Sequence, residues 1–124
     1  MPFDPPFTGL DLHGRVAVVT GGSRDLGRVI ARRLAAAGAD VAVLGRTASS
    51  IDDTAREIEA MGRRAWGFCC DLTVEVEVVR AFGELIAAAG RIDVLVNNAA
   101  APRHQAPVAE MDLAAFQAAP RSII

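Results

Sequence analysis

The chain has 124 residues, of which 52% are hydrophobic and 23% charged, and its formal net charge is -2. That balance describes one globular domain and argues against a basic nucleic-acid binder. There is no tyrosine, and all 13 basic side chains are arginine, so chemistry that needs a phenol or an amine side chain is excluded within this chain.

Residues 15–20 (RVAVVT) form a short β-branched run, as expected of a strand buried on both faces of a parallel sheet. Gly21 and Gly22 break it. From Leu26 the apolar spacing turns helical, through Val29, Ile30, Leu34 and Ala37, and Gly38 stands where a helix end favours positive φ. Residues 41–44 (VAVL) predict a second buried strand. Ile51, Ala55, Ile58 and Met61 predict a second helix stopped by Gly62, and residues 64–70 (RAWGFCC) a third strand. Thr73 is a candidate cap for a third helix, with Glu75 and Glu77 in its positive first turn. Its apolar face would be Val78, Val79, Phe82, Leu85, Ile86 and Ala89, and Gly90 ends it. Residues 92–96 (IDVLV) predict a fourth strand with the composition of an interior one. A loop over residues 97–107 and a further helix over 107–118 would follow.

The order βαβαβαβ implies a parallel sheet with right-handed crossovers, a Rossmann-type doubly wound α/β fold. The expected organisation is an N-terminal arm over 1–12, a partial Rossmann domain over 13–118 and an atypical tail over 119–124. The stretches AAAGAD and AAAGRID read as one local solution used twice: helix, glycine cap, aspartate, buried strand.

Two features of this layout carry chemistry. A glycine-rich turn between a first strand and a helix, here residues 20–27 (TGGSRDLG), lets backbone approach a pyrophosphate and aims free N–H groups at it. Gly21, Ser23, Arg24, Asp25, Leu26 and Gly27 are the candidate contacts. A Walker A loop is excluded, because Arg28 and Val29 stand where Lys and Ser/Thr are required. Arg46 follows the second strand, where dinucleotide folds read the ribose. An arginine there pairs with the 2′-phosphate of NADP, with Arg24 as a second cation, so NADP is expected over NAD.

These motifs, in register with two more, resemble the N-terminal half of the short-chain dehydrogenases/reductases of the 3-oxoacyl-carrier-protein reductase type. The further two are Asp71-Leu72 after the third strand and Asn97-Asn98-Ala99-Ala100 after the fourth. The resemblance implies that Asp71 and Leu72 meet the adenine, that Asn97 and Ala99 belong to the cofactor site, and that the reaction is hydride transfer between a nicotinamide and a ketone or alcohol. The sequence departs from the family pattern at Asp25, where the family has its middle glycine, and at Ala100, which replaces another. The family's catalytic serine and Tyr-x-x-x-Lys pair have no counterpart here, so no catalytic residue is assigned. The expectation is a cofactor-binding half truncated at about Ala118 and inactive alone. The alternatives are a non-catalytic dinucleotide-binding module and a subunit complemented in trans.

No apolar run approaches the ~20 residues of a membrane span. Residues 1–8, with three prolines and an aspartate, lack the basic and apolar regions of a signal peptide. A cytoplasmic chain without membrane or nucleic-acid partners is expected, with irregular self-association. Cys69 and Cys70 are adjacent, so they read as buried hydrophobes rather than a disulfide or a metal site.

Overall fold

The computed structural model describes residues 10–22 and 25–98. Seven elements alternate along them: β1 (Val16–Thr20), α1 (Asp25–Ala36), β2 (Asp40–Gly45), α2 (Ala48–Ala60), β3 (Ala65–Cys69), α3 (Glu75–Ala89) and β4 (Val94–Asn97). The four strands form a parallel sheet in the order β3-β2-β1-β4. The chain therefore steps outward from β1 to β3 and then crosses back, through α3, to the other side of β1. That reversal between β1 and β4 is the topological switch point of a Rossmann-type fold, where ligands of such sheets bind. The expected loop over 97–107 and helix over 107–118 lie outside the described residues, apart from Asn97 and Asn98.

Successive strand side chains point to opposite faces, and the two faces of β1 and β2 build separate cores. Ala17, Val19, Val41 and Val43 pack with Ala31, Ala35, Ile51 and Ile58 of α1 and α2. Val18, Ala42 and Leu44 pack with Ala81 and Leu85 of α3 and with Cys70. Every residue of β1 is buried, as its unbroken apolar run requires.

α2 meets the sheet through Ile51 and Ile58 and α3 through Ala81 and Leu85, whereas α1 does so through smaller side chains than its apolar spacing predicts. On α1, Ala31 and Ala35 are buried, with Ile30 and Leu34 partly so, whereas Leu26 and Val29 face solvent. On α3, Ala81 and Leu85 are buried and Phe82 and Ala89 pack at the margin, whereas Val76, Val79 and Ile86 are exposed. Ala31 and Ala35 leave α1 room to lie close to the sheet, and Leu26 and Val29 fall on its outer side. On α2, Thr54 is buried between Ile51 and Ile58. Thr73 does not cap α3. Val74 is the boundary residue, and both the N–H and the hydroxyl of Thr73 donate to Asp71 Oδ1. An aspartate two residues upstream offers those donors a tight turn, which competes with the helix cap. Glu75 and Glu77 occupy the first turn of α3 as expected.

The paired stretches before β2 and β4 do share one device. Gly38 and Gly90 have φ of 107° and 83°, and each is followed by an aspartate at the start of a strand or just before one. Asp40 Oδ1 accepts the N–H of Arg64 at 2.8 Å, and Asp93 Oδ2 accepts the N–H of Val16 at 2.8 Å. Each carboxylate thus secures the entry of the neighbouring strand, and an arginine clamps each one: Arg64 on Asp40, Arg91 on Asp93. At Gly38 a Cβ would lie 2.6 Å from the His13 ring, so this turn also admits the segment before β1.

The Asp93 carboxyl is held below its ordinary pKa, chiefly by Arg91 and then by the Val16 N–H. A carboxylate whose pKa falls on folding adds stability above its unfolded value, about 3.9, and loses it as pH drops through the folded value. Asp93→Asn should therefore be less stable than the parent at pH 7, with the gap closing towards pH 2.5. Urea midpoints of both proteins at the two pH values test this, and a gap that persists at pH 2.5 would contradict it.

Candidate functional site

In a parallel sheet all strands end on the same side, so the turns after β1, β2, β3 and β4 converge. Gly21 leaves β1 with φ of 67° and donates its N–H to Leu44 O of β2 at 2.7 Å. Gly22 is buried, and a Cβ there would lie 2.8 Å from Val43 Cγ1. Gly27, in the first turn of α1, is tighter still: a Cβ would stand 1.9 Å from Gly21 O and 2.7 Å from Asn98 Nδ2. The turn is thus folded back against the start of its own helix, and the α1 N-terminus is held at the switch point. Free N–H groups and the positive dipole end there favour an anion.

Two residues outside the candidate list fix this arrangement. Thr20 Oγ1 accepts the Asn98 N–H at 3.0 Å and donates to Val96 O at 3.3 Å. Asn98 Nδ2 donates to Gly21 O at 3.4 Å. The turns after β1 and β4 are therefore tied through Thr20 and Asn98. The Asn-Asn dipeptide carried the signal, but spacing alone does not say which asparagine turns inward. Asn97 sits opposite Thr20 in the β1–β4 register and is exposed. Leu26, beside the turn, is 63% exposed. Asp25 is the first residue of α1. Ser23, Arg24 and Ala99 lie outside the described residues.

The turns after β2 and β3 form a second group. Asp71 Oδ1 accepts the Thr73 hydroxyl at 2.6 Å, the Thr73 N–H at 2.9 Å and Arg46 Nη2 at 3.2 Å. These donors, those of Thr73 first, hold the Asp71 pKa down at about 2. The Asp71 N–H donates to Glu77 Oε1 at 3.1 Å. Arg46 remains well exposed, and its backbone oxygen accepts the Cys69 thiol at 3.2 Å. Leu72 packs partly buried against the α3-side core.

The two cysteines are free thiols, as their adjacency requires, but only Cys70 is buried. Cys69 is exposed, against the expectation for both, because β3 is at the edge of the described sheet and alternate residues face outward. Burial pushes the Cys70 thiol up, with Glu77, Cys69 and Asp71 adding to the effect. Among the described residues no cluster of three or more His, Cys, Asp or Glu could hold a metal ion. No described helix is long and apolar enough to cross a membrane.

A parallel α/β sheet with a glycine turn and helix N-terminus at its switch point defines the dinucleotide-binding class of folds. Within that class the chain belongs to the short chain dehydrogenase family, whose model matches residues 15–120. It is 44% identical over 87 residues to an uncharacterized oxidoreductase of Mycobacterium tuberculosis, covering 70% of this chain and 33% of that one. Among solved structures it is 39% identical, with a TM-score of 0.76, to a metagenomic short-chain oxidoreductase in complex with NADP. That match covers 90% of this chain and 50% of the other. It is 28% identical, with a TM-score of 0.79, to an NAD+-bound xylitol dehydrogenase, over 89% of this chain and 42% of that one. The chain spans from a third to a half of the length of these proteins.

Proposed function

We propose that this chain is the NADP(H)-binding half of a short-chain oxidoreductase that transfers hydride between the cofactor and a ketone or alcohol. The observation that carries the reading is the contact between Gly21 and Gly27, which leaves no room for a Cβ and sets the α1 N-terminus at the β1–β4 switch point. The residues around it fit a dinucleotide. Leu26 leaves apolar surface at the turn for a ligand to cover, and Arg46 is an exposed cation where the ribose would lie.

In this reading the α1 N-terminus and the 21–27 turn hold the pyrophosphate through backbone N–H groups, against the charge of the Asp25 carboxylate where the family has glycine, and Arg24 is a second cation for the 2′-phosphate. Arg46 faces the 2′-phosphate, Asp71 and Leu72 border the adenine, and Asn97 and Ala99 border the nicotinamide side of the switch point. The bound cofactor supplies the hydride. Proton transfer at the carbonyl oxygen, which the family performs with tyrosine and lysine, has no such side chain in this chain. General acid–base catalysis is typically worth about 10²–10⁴-fold, so this chain alone binds the cofactor without useful turnover.

The test is calorimetric titration of the 124-residue chain with NADPH and NADH. NADPH should bind about five-fold more tightly, equivalent to about 1 kcal/mol, the upper range for an exposed ion pair. Arg46→Ala should abolish the preference for NADPH. Equal affinities in the parent protein would remove Arg46 from the 2′-phosphate.

A further inference from the structure

The cation that would read the 2′-phosphate is not held alone. Arg46 Nη2 lies 3.2 Å from Asp71 Oδ1, and Asp71 is itself fixed by two donors from Thr73. Arg46 is tethered at its other end as well, since its backbone oxygen accepts the Cys69 thiol. Glu77 adds a second carboxylate beside Asp71, with its Oε1 on the Asp71 N–H. An incoming 2′-phosphate would therefore meet a guanidinium already paired with a carboxylate.

We infer that Asp71 is a specificity-determining residue: by pairing with Arg46 it weakens the preference of this site for a phosphorylated over an unphosphorylated ribose. The inference rests on the proposed placement of Arg46 at the 2′-phosphate and adds the residue that tunes it. Two effects act in the same direction. The Asp71 carboxylate neutralises part of the Arg46 charge, and it repels the dianionic phosphate across a few ångströms. The parent protein should thus accept both dinucleotides with a modest bias, although an arginine occupies the reading position.

Asp71→Asn separates charge from geometry. An asparagine keeps an oxygen in place to accept the Thr73 and Arg46 donors, but it carries no charge. Removing one unit charge several ångströms from the phosphate should increase the NADPH preference on the order of five-fold. Any contact of residue 71 with the adenine changes both affinities alike, so the ratio of the two isolates the phosphate effect.

The experiment measures dissociation constants for NADPH and NADH, by calorimetry, on the parent chain, Arg46→Ala, Asp71→Asn and Asp71→Ser, with thermal melts as the folding check. The ratio Kd(NADH)/Kd(NADPH) should fall to one or below in Arg46→Ala, where the Asp71 carboxylate is no longer neutralised, and rise several-fold in Asp71→Asn. Asp71→Ser, neutral and shorter, should raise it in the same direction and serves if the asparagine variant does not fold. A ratio that falls in Arg46→Ala but stays the same or falls in the Asp71 variants overturns the role of Asp71 while leaving the cofactor reading in place. A ratio unmoved in Arg46→Ala, or no binding by the parent chain, overturns both.

Discussion

Gly27→Ala should disrupt the turn after β1 and destabilise the chain by about 3 kcal/mol or more. The added Cβ would lie 1.9 Å from Gly21 O and 2.6 Å from Gly21 C, both backbone atoms that no rotamer change can move aside. Overpacking in a well-fitted site typically costs about 1–3 kcal/mol, and contact with backbone at this distance belongs at or beyond the upper end. Alanine would otherwise favour the helix by about 1 kcal/mol over glycine, so the steric cost must exceed the observed loss by that amount. The collision has a second consequence for the site. Asn98 Nδ2 lies 2.7 Å from the same Cβ position, so relief by outward movement of α1 would also disturb the turn after β4. Urea unfolding reads the stability and NADPH titration reads the turn, and both should suffer. A variant as stable as the parent would mean that α1 can withdraw from β1 at little cost.

The alternation of strand and helix was legible because each strand is an apolar run bounded by glycine or polar residues. An unbroken apolar run such as residues 16–20 and a 3.6-residue periodicity over a length such as 75–89 are distinct patterns. The repeated glycine–aspartate device before β2 and β4 was legible for the same reason. Its purpose was not, since the partner of Asp93 is the N–H of Val16, 77 residues earlier. Helix orientation was misjudged where hydrophobic size and depth of burial separate. Ala31 and Ala35 face the sheet while Leu26 and Val29 do not, because close approach selects for small apolar side chains over large ones. The turn after β1 was found through its glycines, whose spacing carries a steric meaning. The Arg46–Asp71 pair is not legible in the sequence, although both residues are candidates there. Spacing gives each residue its own ligand, and only the adjacency of β2 and β3 shows that they meet.

The link between β1 and β4 gives the last expectation. Thr20 is 2% exposed and ends β1, and its hydroxyl accepts the Asn98 N–H while donating to Val96 O. Valine has nearly the same shape and suits a buried strand, so Thr20→Val removes the hydroxyl and little else. An unmade hydrogen bond at a buried group costs about 1–3 kcal/mol, because the orphaned partner has given up water without compensation. Here both the Asn98 N–H and the Val96 oxygen lose a partner, which places the expected loss at about 2 kcal/mol. The loss should be local before it is global. Among the described residues Asn98 would keep its side-chain contact with Gly21, and it would swing away from the α1 N-terminus. Amide exchange at Asn98 should therefore accelerate more than exchange within β2, and NADPH affinity should fall with it. Thr20→Ser retains the hydroxyl and should keep both the protected Asn98 amide and the affinity. Equal protection of Asn98 in the valine variant and the parent would show that the backbone, rather than the hydroxyl, holds the two turns together.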